Sequence, residues 1–211
     1  MVAPAPTLDL ERSLLDGATR DAVLVAVDEV GRGALAGPVT LGAVCLSASI
    51  TDPPEGVRDS KAVSQRRRFE LVPLIERWAE SVAVVHVPAQ RIDDVGIVRA
   101  LGEGAVAAVK EAAGNRQVRT VLLDGRHDFV SPVDPRWTVR TIVRGDATCA
   151  SIAAASILAK ERRDALMREL HARFPVYGWD RNVGYGTAGH RSAIAESGVS
   201  EFHRTTWRLT T

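Results

Sequence analysis

Residues 22–38 read AVLVAVDEVGRGALAGP. The continuous apolar run 22–27 is the pattern of a buried strand. Asp28 and Glu29 follow it directly, and the glycines and proline packed into 31–38 supply turn chemistry. VTLGAVCLS (39–47), apolar and β-branched, then reads as a second strand. Acids directly after a buried strand lie at the rim of a sheet, where sites tend to form.

The rest of the chain extends this pattern. A loop at 50–60 contains Pro53, Pro54 and Gly56. Ser64 is a candidate N-cap for a helix through Phe69, Leu71, Leu74 and Trp78, with Pro73 predicting a kink or early break. SVAVVHV (81–87) is a strand, 90–113 a helix closing near Gly114, and VRTVLLD (118–124) a strand ending on an acid. WTVRTIV (137–143) is a further strand, and the Ala-rich run 148–171 is the strongest helix signal in the chain. A Gly/aromatic loop and a short helix from Thr187 complete it. Strands followed by alternating strands and helices predict an α/β fold with a mixed sheet.

The 211 residues are 45% hydrophobic and 25% charged, which fits one globular domain able to bury a core. No apolar run is long enough to span a membrane and no secretory pattern opens the chain, so a cytoplasmic protein is expected. Cys45 and Cys149 lack a metal or disulfide spacing and read as small buried apolar residues. Net charge is only +1, yet residues 136–211 hold 12 basic and 7 acidic residues, against 15 and 19 in residues 1–135. Acids that hold cations beside bases that hold phosphates would suit a polyanion-binding metal enzyme, although scattered surface charge gives the same count.

Four acids carry the chemistry: Asp28 and Glu29 after the first strand, Asp124 after the fourth, and Asp146 between a strand and the long helix. Carboxylates that converge need a cation, and Mg²⁺ or Mn²⁺ fits all-oxygen donors where no His/Cys cluster exists for zinc. Paired ions can activate a water and stabilise a leaving oxygen in phosphodiester cleavage. Adjacent strand residues face opposite sides, so Asp28 and Glu29 share a site only if the strand ends or twists between them. Asp164, flanked by Lys160 and Arg168 at helical spacing, reads as a surface ion-pairing residue, and Asp128 and Asp134 as turn residues. Arg162 and Arg163 face either the backbone of a nucleic acid or solvent, with solvent the default for a charged helix end, and Trp179 and Trp207 read as packing residues.

At these residues the sequence resembles the type 2 ribonuclease H family, specifically its bacterial ribonuclease HII branch. The resemblance rests on VAVDEVGRGALAGPV (25–39), RDSKAVS (58–64), VLLDG (121–125), IVRGDATCASIAAASILAKERRD (142–164) and VGYGTAGH (183–190), in that order. It implies a ribonuclease H-like mixed β-sheet flanked by helices. It also implies a loose leader at 1–20, a catalytic core at 21–171 and a helical substrate-binding extension at 172–211. The implied activity is endonucleolytic cut of RNA in RNA–DNA hybrids and 5′ of ribonucleotides embedded in duplex DNA, leaving 5′-phosphate and 3′-hydroxyl ends. Asp28, Glu29, Asp124 and Asp146 match the metal-binding acids, served by Mg²⁺ or Mn²⁺. Asp146, in place of glutamate, and the lack of an extra N-terminal domain favour the HII over the HIII branch. Ala34 stands where the family usually has proline, and Gly96 where it often has asparagine.

The resemblance assigns 2′-hydroxyl recognition to Gly31, Arg32 and Gly33, whose backbone would test for a group that both donates and accepts. By itself GRG is also plain turn chemistry. Tyr185, flanked by glycines, is implied to contact the nucleotide after the ribose, although a packed loop tyrosine fits the same spacing. Lys61 in DSK is a candidate phosphate contact or a solvated lysine. His190 is expected only to support the Tyr185 loop. A monomer is expected, with contact to a replication clamp left open. Two other readings compete: a DNA-cutting relative on the same fold, which has no need of GRG and GYGT, and a non-catalytic binder, which gains nothing from four acids.

Overall fold

A computed structural model describes residues 5–19 and 21–210. The chain runs α1 (Asp9–Leu15), β1 (Ala22–Val30), β2 (Val39–Ser47), α2 (Gln65–Trp78), β3 (Ser81–Val87), α3 (Ala89–Val95), α4 (Ile97–Ala113), β4 (Gln117–Asp124), β5 (Thr138–Ile142), α5 (Gly145–Thr148), α6 (Ala150–Arg173), α7 (Trp179–Asn182) and α8 (Ala188–Ser197). The five strands form one sheet in the order β3-β2-β1-β4-β5. β1–β2 and β2–β3 are antiparallel, whereas β1–β4 and β4–β5 are parallel. The sheet is therefore mixed and covered by helices, as the alternation of patterns predicts.

Side-chain alternation along β1 divides the core. Val23, Val25 and Val27 pack with α4 on one face, and Leu24 and Ala26 with α2 and α6 on the other. The alanines of α6 let that helix sit close to the sheet. At Gly42 of β2 an added Cβ would lie 2.3 Å from the Ala155 carbonyl oxygen, so only glycine fits there. A third cluster, with Leu35, Met167, Tyr177, Trp179 and Ile194, joins the C-terminal segment to the end of α6 and the loop after β1.

Ser64 caps α2, its side chain accepting from the Arg67 N–H, and the helix continues through Pro73. The expected helix over 90–113 is two helices. Gly96 stands between them at φ +79° and ψ 156°, a conformation essentially restricted to glycine. The loose leader expected at 1–20 is also corrected where it can be described; residues 1–4 and 20 lie outside the described residues. Residues 9–15 form α1, and Leu8, Glu11 and Leu15 are buried. The segment also pairs through Thr7, whose N–H donates to Thr148 O and whose carbonyl accepts from the Ala150 N–H. Apolar burial and backbone pairing offset the cost of ordering it.

Candidate active site

The parallel pairing of β1 and β4 ends at Val27↔Leu123, one residue before Asp28 and Asp124. Both acids continue the alternation of Leu24, Ala26 and Leu122, and so share the face covered by α6. Asp146 reaches them from α5. Carboxylate oxygens of Asp28, Asp124 and Asp146 lie within 4.8 Å of one another. Asp124 Oδ1 accepts from the Gly145 N–H at 2.7 Å and the Asp146 N–H at 3.4 Å, which ties the end of β4 to the start of α5. Asp28 Oδ1 accepts from the Glu29 N–H at 2.7 Å.

Glu29 is the exception among the four. It falls on the alternate step of β1 and stands outside the three-carboxylate group. It borders the same cavity, of about 340 Å³, and pairs with Arg32 at 3.6 Å. β1 continues past both acids to Val30, so alternation separates them, yet both border one cleft beyond the point where pairing with β4 stops. Lys61, Lys160 and Tyr185 also line this cleft. A larger cavity of about 410 Å³ beside Tyr177, Arg181 and His190 is lined by no carboxylate and lacks the donors for metal chemistry.

The acids strain one another electrostatically. Burial, then the charges of Glu29 and Asp124, hold the Asp28 carboxyl well above the usual carboxylate range. Burial raises Glu29 to about 6, with the Arg32 charge pulling down and Asp124 pushing up. Asp146 is raised by burial and then by Asp124 and Asp59. For Lys61 burial pulls downward, but Asp59, Asp146, Asp28 and Asp124 together outweigh it and raise the ammonium. Three close carboxylates that offer only oxygen donors fit a hard divalent cation, which would relieve their repulsion.

The recognition candidates stand beside this cleft. Gly31 adopts φ +84° and backs onto Arg163, leaving no room for a Cβ. Gly31, Arg32 and Gly33 do not line the acidic cavity itself; Arg32 and Gly33 are exposed next to it. Leu35 and Ala36 donate their N–H groups to the Gly184 carbonyl, which joins the glycine loop to the loop bearing Tyr185. His190 Nδ1 lies 3.0 Å from the Tyr185 carbonyl, in the supporting role expected of it.

Two expectations for α6 are overturned. Arg163 is fully buried and bonds backbone carbonyls, because the C-terminal segment folds over it. Asp164 is buried too, paired with Lys160 at 2.8 Å and with Arg68 at 3.7 Å; Arg68 also holds Glu161 at 2.7 Å. Helical spacing identified the Lys160 partner but not the cross-helix Arg68 from α2. Sequence reading also passed over Ser60, Ser156 and Lys160 in the cleft, and Arg204 behind the glycine loop. For Lys160, Ser156 and Asp28, distance along the chain hides the contact, and only the packing of α6 on β1 reveals it.

The family model described as ribonuclease HII matches residues 25–210. The chain belongs to the ribonuclease HII family. It is 42% identical over 204 residues to ribonuclease HII of Streptomyces avermitilis, covering 96% of this chain and 83% of that one. The same fold appears in the PCNA:RNase HII complex from Archaeoglobus fulgidus, at TM-score 0.72 and 23% identity over 90% of this chain and 96% of that chain. It appears again in Bst-RNase HIII in complex with Mn²⁺, at TM-score 0.64 and 18% identity over 94% and 71% of the two chains. As a ribonuclease HII the chain is an endonucleolytic hydrolase with a ribonuclease H-like fold.

Proposed function

We propose that this ribonuclease HII cuts the RNA strand of RNA–DNA hybrids and incises 5′ of single ribonucleotides in duplex DNA, leaving 5′-phosphate and 3′-hydroxyl ends. The observation that carries this reading is the convergence of Asp28, Asp124 and Asp146 within 4.8 Å, beside the glycine loop and Tyr185. These three acids, with Glu29 at the rim, would hold two Mg²⁺ or Mn²⁺ ions. Bound there, such ions lower the pKa of the attacking water and stabilise the departing 3′ oxygen.

The chain's own groups do the rest. Asp124 is oriented by two peptide N–H groups, and Asp28 is kept in place by the end of β1. Lys61 and Lys160 offset the acidic charge and meet the phosphate backbone as point charges. Gly31, Arg32 and Gly33 present backbone to the ribose, and Tyr185 stacks on the adjoining sugar or base. Residues 172–211 form the substrate-binding extension on a core of 21–171. Every donor comes from one chain, which supports a monomer as the working unit, and no described helix is long and apolar enough to cross a membrane. A cytoplasmic site of action fits a nucleic-acid substrate.

The test is a duplex DNA with one embedded ribonucleotide, incubated with Mg²⁺, Mn²⁺ or chelator. Metal-dependent incision on the 5′ side of the ribonucleotide, with a 5′-phosphate on the downstream product, is the expected result. An intact duplex, or cutting at all-DNA positions as readily, would overturn the substrate assignment. Asp124→Asn should abolish the cut while retaining duplex binding, and retained turnover would remove Asp124 from the metal site.

A further inference from the structure

Two guanidinium groups lie fully buried behind the glycine loop, and neither pairs with a carboxylate among the described residues. Arg204 Nη2 donates to the Gly31 carbonyl at 2.6 Å and Nη1 to the Arg32 carbonyl at 2.7 Å; its Nε and Nη2 also reach Gly37 O at 3.3 and 3.2 Å. Arg163 donates to Pro38 O at 2.8 Å, Ala36 O at 3.1 Å and Val183 O at 2.8 Å. Outward from these bonds, Arg163 lies 5.7 Å from the centroid of the Tyr185 ring, and Arg204 lies 4.8 Å from that of Trp207.

Burying two neighbouring like charges without counter-ions is costly, and apolar side chains would fill the same space more favourably. What apolar side chains lack is a planar set of donors that fixes several carbonyls at once. The carbonyls of Gly31 and Arg32 are drawn inward, while the N–H groups of Gly31, Arg32 and Gly33 meet no protein acceptor among the described residues. A peptide whose oxygen is held from behind presents its N–H with a fixed direction, the arrangement by which backbone nests hold oxygen ligands.

We propose that Arg163 and Arg204 are positioning residues for ribose recognition, fixing the direction of the Arg32 and Gly33 peptide N–H groups and coupling that loop to the Tyr185 ring. The inference deepens the proposed function and rests on it. Arg204 sets the loop itself. Arg163 spans the loop and the Val183–Tyr185 segment, so that one group holds both halves of the recognition surface at one distance from the carboxylates. Burial lowers the proton affinity of both guanidiniums, yet each keeps its charge near neutral pH.

The test compares the affinities of two duplexes, one all-DNA and one with a single embedded ribonucleotide, in an Asp124→Asn background that binds without cutting. Arg204→Lys keeps the charge but loses the fork, and should reduce the ribose preference at least tenfold. Its Mn²⁺ affinity, measured without the background change, should stay within about twofold. Trp207→Leu removes the ring packed against Arg204 while leaving its carbonyl partners in place, and should lower the preference in the same direction by about threefold. It decides the matter if Arg204→Lys does not fold. A folded variant that keeps the full ribose preference overturns the positioning role alone. A parent protein with no ribose preference overturns the proposed function and this inference together.

Discussion

The carboxylate of Glu11 accepts hydrogen bonds from the Ser151 N–H at 3.0 Å and from the Ser151 Oγ at 2.6 Å, across 140 residues of sequence. α6 therefore draws its cap from α1, since Cys149 at its own N-cap makes no side-chain cap bond. A negative charge at a helix N-terminus satisfies free N–H groups and complements the helix dipole. This helix delivers Ser156 and Lys160 to the cleft and follows directly on the turn that holds Asp146.

Glu11→Ala should cost about 2 kcal/mol, the loss of a cap plus a buried charged hydrogen bond. Urea unfolding should show a lower midpoint at unchanged slope. Glu11→Gln, which retains an acceptor oxygen, should lose less. An Ala variant with the parent midpoint would show that the contact contributes nothing.

Asp28→Asn should oppose stability to activity. Removing one charge from a buried, mutually repelling cluster should raise the stability of the metal-free protein by about 1 kcal/mol, or roughly 2–4 °C in Tm. Turnover should fall at least about 10²–10³-fold, and stabilisation by added Mn²⁺ should be reduced or lost. Calorimetry with and without Mn²⁺ checks both halves; a destabilised metal-free variant would contradict the repulsion argument.

His203 should make the fold acid-sensitive. Its Nδ1 accepts from the Ser200 N–H at 2.9 Å, and its Nε2 lies 3.2 Å from His190 Nε2, which also accepts from Trp179 Nε1 at 3.1 Å. This network requires both rings to be neutral. Burial, then the neighbouring His190, pushes His203 down to about 4 from its ordinary 6.5. A depressed folded pKa gives stability that is complete above about pH 6.5 and lost as pH falls toward 4, up to roughly 3 kcal/mol. Unfolding measured between pH 7 and 4.5 should show a steeper loss for the parent than for His203→Gln; parallel curves would remove His203 as the cause.

Gly42→Ala should destabilise by about 3 kcal/mol, because the new methyl would sit 2.3 Å from the Ala155 carbonyl oxygen and 3.1 Å from the Ala159 Cβ. Relief requires α6 to move off the sheet, carrying Ser156 and Lys160 away from Asp28. Chemical denaturation and a cleavage assay on the same variant should therefore both show a loss, and a stable, active alanine variant would contradict the close approach.

The sequence by itself determined the sheet and the long helix and offered four acids as one group, of which the structure brings Asp28, Asp124 and Asp146 within 4.8 Å. The reason is local: apolar runs dictate buried strands, and an acid one step past such a run must stand at the sheet rim. Alternation set the condition that Asp28 and Glu29 share a site only if the strand ends or twists, and it left both in the group. Tertiary structure alone decided which distant groups close the site. Arg163 and Asp164 look like solvated charges at helical spacing, because the spacing of a helix records neighbours on that helix and nothing of the segment folded over it. Arg204 lies 173 residues from the Gly31 carbonyl it holds, and Glu11 lies 140 from Ser151. A hydrogen bond between a side chain and a remote backbone leaves no periodicity in the sequence. It exists only once packing has brought the two together and removed the water that would otherwise satisfy each of them.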